Sequence, residues 1–188
     1  MIETERLRLI PISVELVESL VREDRAAAEA ALDAVLAALG LPGGTTLPEA
    51  WPDADLVTRA FPYSLDAIRA DPTIRLWGDS VVIPRYGQPR VLGSIVFHGK
   101  PDDGIAEVSY GIEASSRGNG FATEATLASV EWALAQPHVA SVRATTFPWH
   151  HASLRVIHKL GMVRCGERVH DLLGELLVFE RRRKSSPG

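Results

Sequence analysis

The chain's 188 residues, 46% hydrophobic and 23% charged, suit one folded domain with a real core and exclude a disordered protein. No apolar run approaches the roughly 20 residues that cross a bilayer, residues 1–6 lack the basic head and apolar stretch of a secretion signal, and the single cysteine, Cys165, excludes an internal disulfide. A cytoplasmic protein is expected, and a net charge of −4 leaves little footprint for nucleic acid, so no nucleic-acid or membrane partner is expected.

Residues 6–12 alternate Leu7 and Leu9 and predict a first strand. From 14 to 39 the pattern is helical, with Ser13 as N-cap and Gly40 just past the end. Residues 41–72 hold five of the twelve prolines and predict short helices joined by turns. Strands are expected at 73–77, 81–84, 91–98 and 105–112, the first three as an antiparallel meander. A helix over 117–136 follows, on which Phe121, Ala125, Ala128, Trp132 and Ala135 form one apolar stripe. A strand at 141–147, a helix at 152–160 closed by Gly161, and strands at 162–169 and 175–181 complete the chain. This order implies a mixed sheet with helices on both faces. Residues 1–184 form one domain, and 181–184, the one basic run, read as a solvated strand end before a tail at 185–188.

The stretch that carries chemistry is Arg117-Gly118-Asn119-Gly120-Phe121-Ala122-Thr123, where a strand passes through a two-glycine turn into a helix. A helix start leaves its first N–H groups unpaired and carries about half a positive charge, so it attracts anions. Glycine lets the backbone approach closely, and Arg117 adds a full charge. A P-loop would need Lys then Ser or Thr where Phe121 and Ala122 stand, and Thr123 breaks the dinucleotide fingerprint G-x-G-x-x-G/A.

Arg-Gly-Asn-Gly-Phe-Ala resembles the Q/R-x-x-G-x-G/A acyl-CoA signature of the GNAT superfamily. The run from Arg117 to Ala125 is similar to the branch containing the ribosomal-protein N-terminal acetyltransferases. Ala152-Ser153-Leu-Arg-Val-Ile-His-Lys-Leu160-Gly161-Met162 and the opening Glu3-Thr4-Glu5-Arg6-Leu7-Arg8-Leu9 resemble two further segments of that branch, in the same order. Residues 22–72 match no known pattern and are expected to shape the acceptor site.

The resemblance implies an α/β (α+β) GNAT fold, with a mixed, mostly antiparallel central sheet of about six to seven strands. It implies an N-acetyltransferase that moves acetyl from acetyl-CoA to a primary amine, on a protein N-terminus or a small molecule, by direct attack in a ternary complex. The pantetheine arm maps to Gly111 and Ile112, beside which the family's two central strands splay apart. The diphosphate maps to the amides of Gly118, Asn119, Gly120 and Ala122, with Thr123 adding a hydroxyl. His150 stands where the family usually has asparagine, and neutral histidine also offers one donor and one acceptor. Sheet-edge dimers are common in the family, so the resemblance allows a homodimer.

An amine must be neutral to attack. At pH 7 this costs about 4.6 kcal/mol for a lysine-like amine and about 1 kcal/mol for an α-amine. Glu107 is the candidate base, sharing a strand face with Ser109 and Gly111, and Glu113 is the alternative. Many family members carry a tyrosine thiol donor where this chain has Ile157; Ser153 is the candidate substitute, with helix capping as its structural role. No histidine spacing suits zinc, so no metal is expected. Cys165 is expected to be a buried thiol, and Trp132 and Trp149 to pack the core or a pocket wall. The missing tyrosine and altered asparagine leave a second class open, a non-catalytic acyl-CoA-binding or regulatory domain.

Overall fold

A computed structural model describes residues 1–54, 56–170 and 174–184; the expected tail at 185–188 lies outside the described residues. Eight strands form one sheet: β1 (Ile2–Glu3), β2 (Leu7–Pro11), β3 (Asp79–Pro84), β4 (Gly93–Phe97), β5 (Ile105–Ile112), β6 (Ser141–Thr146), β7 (Val163–His170) and β8 (Gly174–Arg182). Their order is β1-β2-β3-β4-β5-β6-β8-β7, and every neighbouring pair is antiparallel except β5–β6. The sheet is mixed and mostly antiparallel as expected, with the two-residue β1 among its strands.

The helical run expected over 14–39 is two helices, α1 (Val14–Val21) and α2 (Arg25–Ala38). Periodicity alone could not show the break. Glu23 takes a left-handed φ of 59°, and the Asp24 carboxylate accepts from the Ala27 amide at 3.0 Å. Aspartate competes for backbone donors, so it caps a new helix more readily than it sits inside one. Ser13 caps α1 as expected, accepting from the Leu16 amide at 3.2 Å.

Within the proline-rich stretch a π turn, Leu56–Ala60, leads into α3 (Phe61–Ala70), with Pro62 in its first turn. The strand expected at 73–77 does not form. Asp71 accepts from both the amide and hydroxyl of Thr73, Arg75 has φ 43°, and Arg75–Trp77 close as a 3-10 turn.

Helices α1–α3 cover one face of the sheet, over Ile10, Val81 and Ile83. On the other face α4 (Phe121–Ala135) and α5 (His151–Lys159) pack on Leu9, Val82, Ile95, Ala106 and Val108. The buried stripe of α4 is Ala125, Thr126, Ser129, Val130 and Ala133, not the run through Ala128 and Ala135. Small side chains let the helix lie close to the sheet, and Trp132 flanks that contact, tilted 4.5 Å from Trp77 and 6.0 Å from Phe97. The basic strand end is exposed at Arg182, Arg183 and Lys184 as expected, and it is also tied down: Arg181 donates to the Leu160 carbonyl and Arg183 to that of Gln136. Among the described residues no helix is long and apolar enough to cross a membrane.

Candidate active site

Pairing between β5 and β6 covers three positions, Ile105↔Ser141, Ala106↔Val142 and Glu107↔Arg143. Beyond Glu107 the strands part. β5 continues against β4 as far as Gly93↔Ile112, while β6 continues against β8 as far as Thr146↔Leu177. The result is a cleft whose edges are strand backbone. Which backbone groups face it follows from the antiparallel alternation. His98 donates to the Glu107 carbonyl at 3.0 Å and Glu113 donates to the Leu92 carbonyl at 2.9 Å, so the odd positions of β5 face β4. The edge toward the cleft is therefore Val108, Tyr110 and Ile112. Of the expected pair, Ile112 lies on this edge, whereas Gly111 pairs with Ser94 on the β4 side.

At the mouth of the cleft a turn leads into α4. Gly118 and Gly120 have φ of 82° and 79°, and no side chain caps the helix. The first helical bond runs from the Glu124 amide to the Gly120 carbonyl at 3.0 Å. Among the described residues, no protein acceptor meets the amides of Gly118, Asn119, Gly120, Phe121, Ala122 or Thr123. Six unpartnered donors thus sit at the positive end of a fifteen-residue helix. The Asn119 side chain holds the turn by donating to the carbonyls of Ser116 and Arg117 at 3.1 and 3.2 Å. Arg117 donates through Nε to the Ile112 carbonyl at 2.8 Å, which ties the turn to the strand edge.

Arg6 is a site residue that sequence reasoning missed. It stacks 4.9 Å over Phe121, donates to the Asn119 carbonyl at 3.1 Å, and reaches Glu124 through Nε at 2.7 Å. Glu124 would otherwise repel an anion at this helix start. Burial works to raise its carboxyl, but hydrogen bonds from Thr4 and Arg6 prevail and hold it below the usual range. Thr4, Arg6 and Glu124 all stood inside matched segments; only their pairing across the fold was invisible.

Glu107, Ser109 and Gly111 lie on the face covered by α1–α3. Glu107 is half-buried and accepts from Thr145 at 3.4 Å and from Arg168 at 3.2 Å. His98 and Ser109 share a 3.0 Å hydrogen bond beside it. Glu113 has another role. Burial works to raise its carboxyl, but the Ser116 and Ser115 hydroxyls, the Ser115 amide and Arg90 outweigh this and hold it at about 2. It caps the turn Ala114–Ser116 and has almost no affinity left for a proton.

On the opposite face the Tyr110 phenol lies 3.0 Å from the Ser153 hydroxyl and 3.2 Å from the Ser153 carbonyl. Burial pushes the Tyr110 phenol up, with the Ser153 contact opposing, so it stays protonated. Ser153 does not cap α5; that position belongs to His150, whose side chain makes no capping bond. Ile157 is fully buried in the core. Trp149 is 66% exposed and stacks on Phe147 at 4.8 Å, which excludes the core of the two places expected for it, the core or a pocket wall. Cys165 is exposed on β7, not buried, because every residue before His170 on that edge strand is exposed.

A cavity of about 780 Å³ opens on the Glu107 face. Val35, Leu39, Tyr63, Ala67 and Ile68, from residues 22–72, line one side, and Val96 and His98 of the sheet line the other.

Residues 6–163 match the family profile described as acetyltransferase (GNAT) domain. The chain is 26% identical over 164 residues to the uncharacterized N-acetyltransferase YjdG of Bacillus subtilis (strain 168), covering 87% of this chain and 89% of that protein. Among solved structures, a GNAT-family acetyltransferase from Bacillus anthracis superposes with a TM-score of 0.62 at 18% identity, covering 97% of this chain and 98% of that one. RimL, a ribosomal L7/L12 α-N-protein acetyltransferase in complex with coenzyme A, superposes with a TM-score of 0.62 at 12% identity, covering 95% of each chain.

Proposed function

This chain belongs to the acetyltransferase (GNAT) domain family, and on that premise we propose that it transfers acetyl from acetyl-CoA to a primary amine by direct attack in a ternary complex. The observation that carries this reading is the set of unpartnered amides at residues 118–123, placed at the mouth of a cleft with an open strand edge. A diphosphate suits the amides, and an amide-bearing arm suits the edge at Tyr110 and Ile112. The unit is residues 1–184 acting as one domain, with 22–72 shaping the acceptor site.

The chemistry then divides between the two faces. Glu107 takes the proton of the attacking amine, directly or through water, as the nitrogen bonds to the acyl carbon. Arg168 and Thr145 orient that carboxylate. On the other face Ser153 turns its hydroxyl toward the departing thiolate while Tyr110 donates to the Ser153 oxygen, so the C–S bond breaks against a supported hydrogen-bond donor. A thiol of ordinary pKa near 8.5 leaves readily with that help. Tyr110 thus stands in for the tyrosine that Ile157 replaces, reaching the same helix from the strand.

Calorimetric titration with acetyl-CoA, followed by thiol release with a panel of amines and peptides, tests the reading. Tight binding and amine-dependent release are expected. Indifference to acetyl-CoA together with uptake of NAD or ATP would overturn it.

A further inference from the structure

Helix α3 is lightly anchored. Phe61 is its one buried residue, and no side chain caps its start. It enters from the π turn Leu56–Ala60 and leaves through a turn in which Asp71 accepts from the Thr73 amide, so a backbone joint stands at each end. Tyr63, Ser64, Ala67 and Ile68 of this helix close one side of the cavity described above. Segments with so few buried contacts are the ones that open locally.

The polar tie between α3 and the sheet is Asp79, which opens β3 and is 3% exposed. The Ser64 hydroxyl lies against Oδ2, while Oδ1 is buried with no partner. Ser64 is also 3.1 Å from the Ala60 carbonyl. One hydroxyl hydrogen cannot serve both acceptors. A protonated Asp79 resolves the conflict, because it donates to Ser64 while Ser64 donates to Ala60. An ionised Asp79 draws that hydrogen from Ala60 and still leaves a buried charge with one oxygen unmet, a costly arrangement. Burial pushes the carboxyl up to about 6, with the Ser64 hydrogen bond opposing.

Other titratable groups face the same cavity: Tyr63 of α3, Arg75 of the 3-10 turn, His98 just past β4, and the Met1 amine. The lining residues from the end of β2, from α1 and from α2 carry no titratable side chain. Among the described residues only Ser64 bonds the Asp79 carboxyl.

We propose that α3 is a proton-latched cover: the proton between Asp79 and Ser64 holds the helix over the cavity, and its loss to solvent lets the helix swing away on its two joints. This goes beyond the transferase reading and stands whether or not acetyl-CoA binds. Opening lets water reach the carboxylate, which returns to its ordinary value near 3.8. The closed state binds the proton more tightly than the open one. The latch is therefore complete below about pH 4, weakens as the pH rises, and is lost above about 6.

Amide hydrogen exchange of the wild type, corrected for the intrinsic pH dependence of the chemistry, tests this. Protection of the α3 amides is expected to fall by about 100-fold between about pH 4 and pH 7. Exchange in α3 is expected to be faster than in α4 and insensitive to low urea, the mark of a local opening. Asp79→Asn, which keeps a donor for Ser64 at every pH, is expected to hold α3 protection constant. Ser64→Ala removes the bond that favours the charged form, so the fall is expected to end at a higher pH than in the wild type. Protection of α3 that is flat with pH in the wild type, exchange of α3 only together with α4, or a fall that persists in Asp79→Asn each overturns the proposal.

Discussion

Tyr110 of β5 and Ser153 of α5 face each other across the cleft with 3.0 Å between their hydroxyl oxygens. The pair joins a strand edge to a helix beside the gap between β5 and β6, and the proposed mechanism uses both hydroxyls as one proton-donating unit. Tyr110→Phe and Ser153→Ala are each expected to lower kcat by about 100-fold. The double variant is expected to lose little more than the worse single one, because each removes the same relay. Steady-state kinetics at saturating acetyl-CoA check this, and fully multiplied losses would break the pair into independent residues.

Glu107→Gln keeps the hydrogen bond to Thr145 but cannot take a proton. A fall in kcat of about 100-fold is expected. Glu113→Gln, in contrast, is expected to leave kcat nearly unchanged and to lower stability by about 2 kcal/mol, since it weakens hydrogen bonds to a buried charge. An unchanged kcat for Glu107→Gln at every pH removes that residue as the base.

Much of this architecture was legible from residue pattern. Ser13, Gly40 and the glycines at 118 and 120 mark element ends because their backbone geometry or capping chemistry is local. The break at Glu23 and the turn at Arg75 were not legible, because both depend on one side chain outcompeting a periodic pattern. The anion turn could be placed from its glycines, but Arg6 could not, since its partners Asn119 and Glu124 are more than a hundred residues away. Tyr110 was legible only as part of the strand at 105–112, because nothing in β5 announces Ser153. Asp79 falls between the strands expected at 73–77 and 81–84, and only folding reveals its enclosure.

Stability should carry the signature of Asp79. Burial moves its carboxyl from 3.8 up to about 6, so the folded state binds the proton more tightly than the unfolded chain. Its contribution is complete below about pH 4 and is lost as the pH rises through 6, a change of roughly 3 kcal/mol. Asp79→Asn is therefore expected to be more stable than the wild type at pH 8 by about 2 kcal/mol, with the gap closing toward pH 4. Denaturant midpoints at the two pH values decide it; a gap independent of pH contradicts the assignment.

Gly120 has φ 79° with only Arg6 near the position of an added methyl, at 3.5 Å. The cost of Gly120→Ala is therefore mainly conformational, about 1–2 kcal/mol. Relief of that strain reorients the unpartnered amides of the turn, so acetyl-CoA affinity is expected to drop by tenfold or more while the melting temperature falls only slightly. Arg6→Ala is expected to weaken binding further as salt is lowered, because it leaves Glu124 unneutralised. Calorimetry at two ionic strengths measures both.

With only three rungs joining β5 to β6, the strands from β1 to β5 and the group β6–β8–β7 resemble two boards fastened along a short seam. A ligand lying in the gap would act as the missing fastener. Empty protein should breathe along that line, and amide exchange at Val108, Tyr110 and Ile112 should slow sharply once the gap is filled.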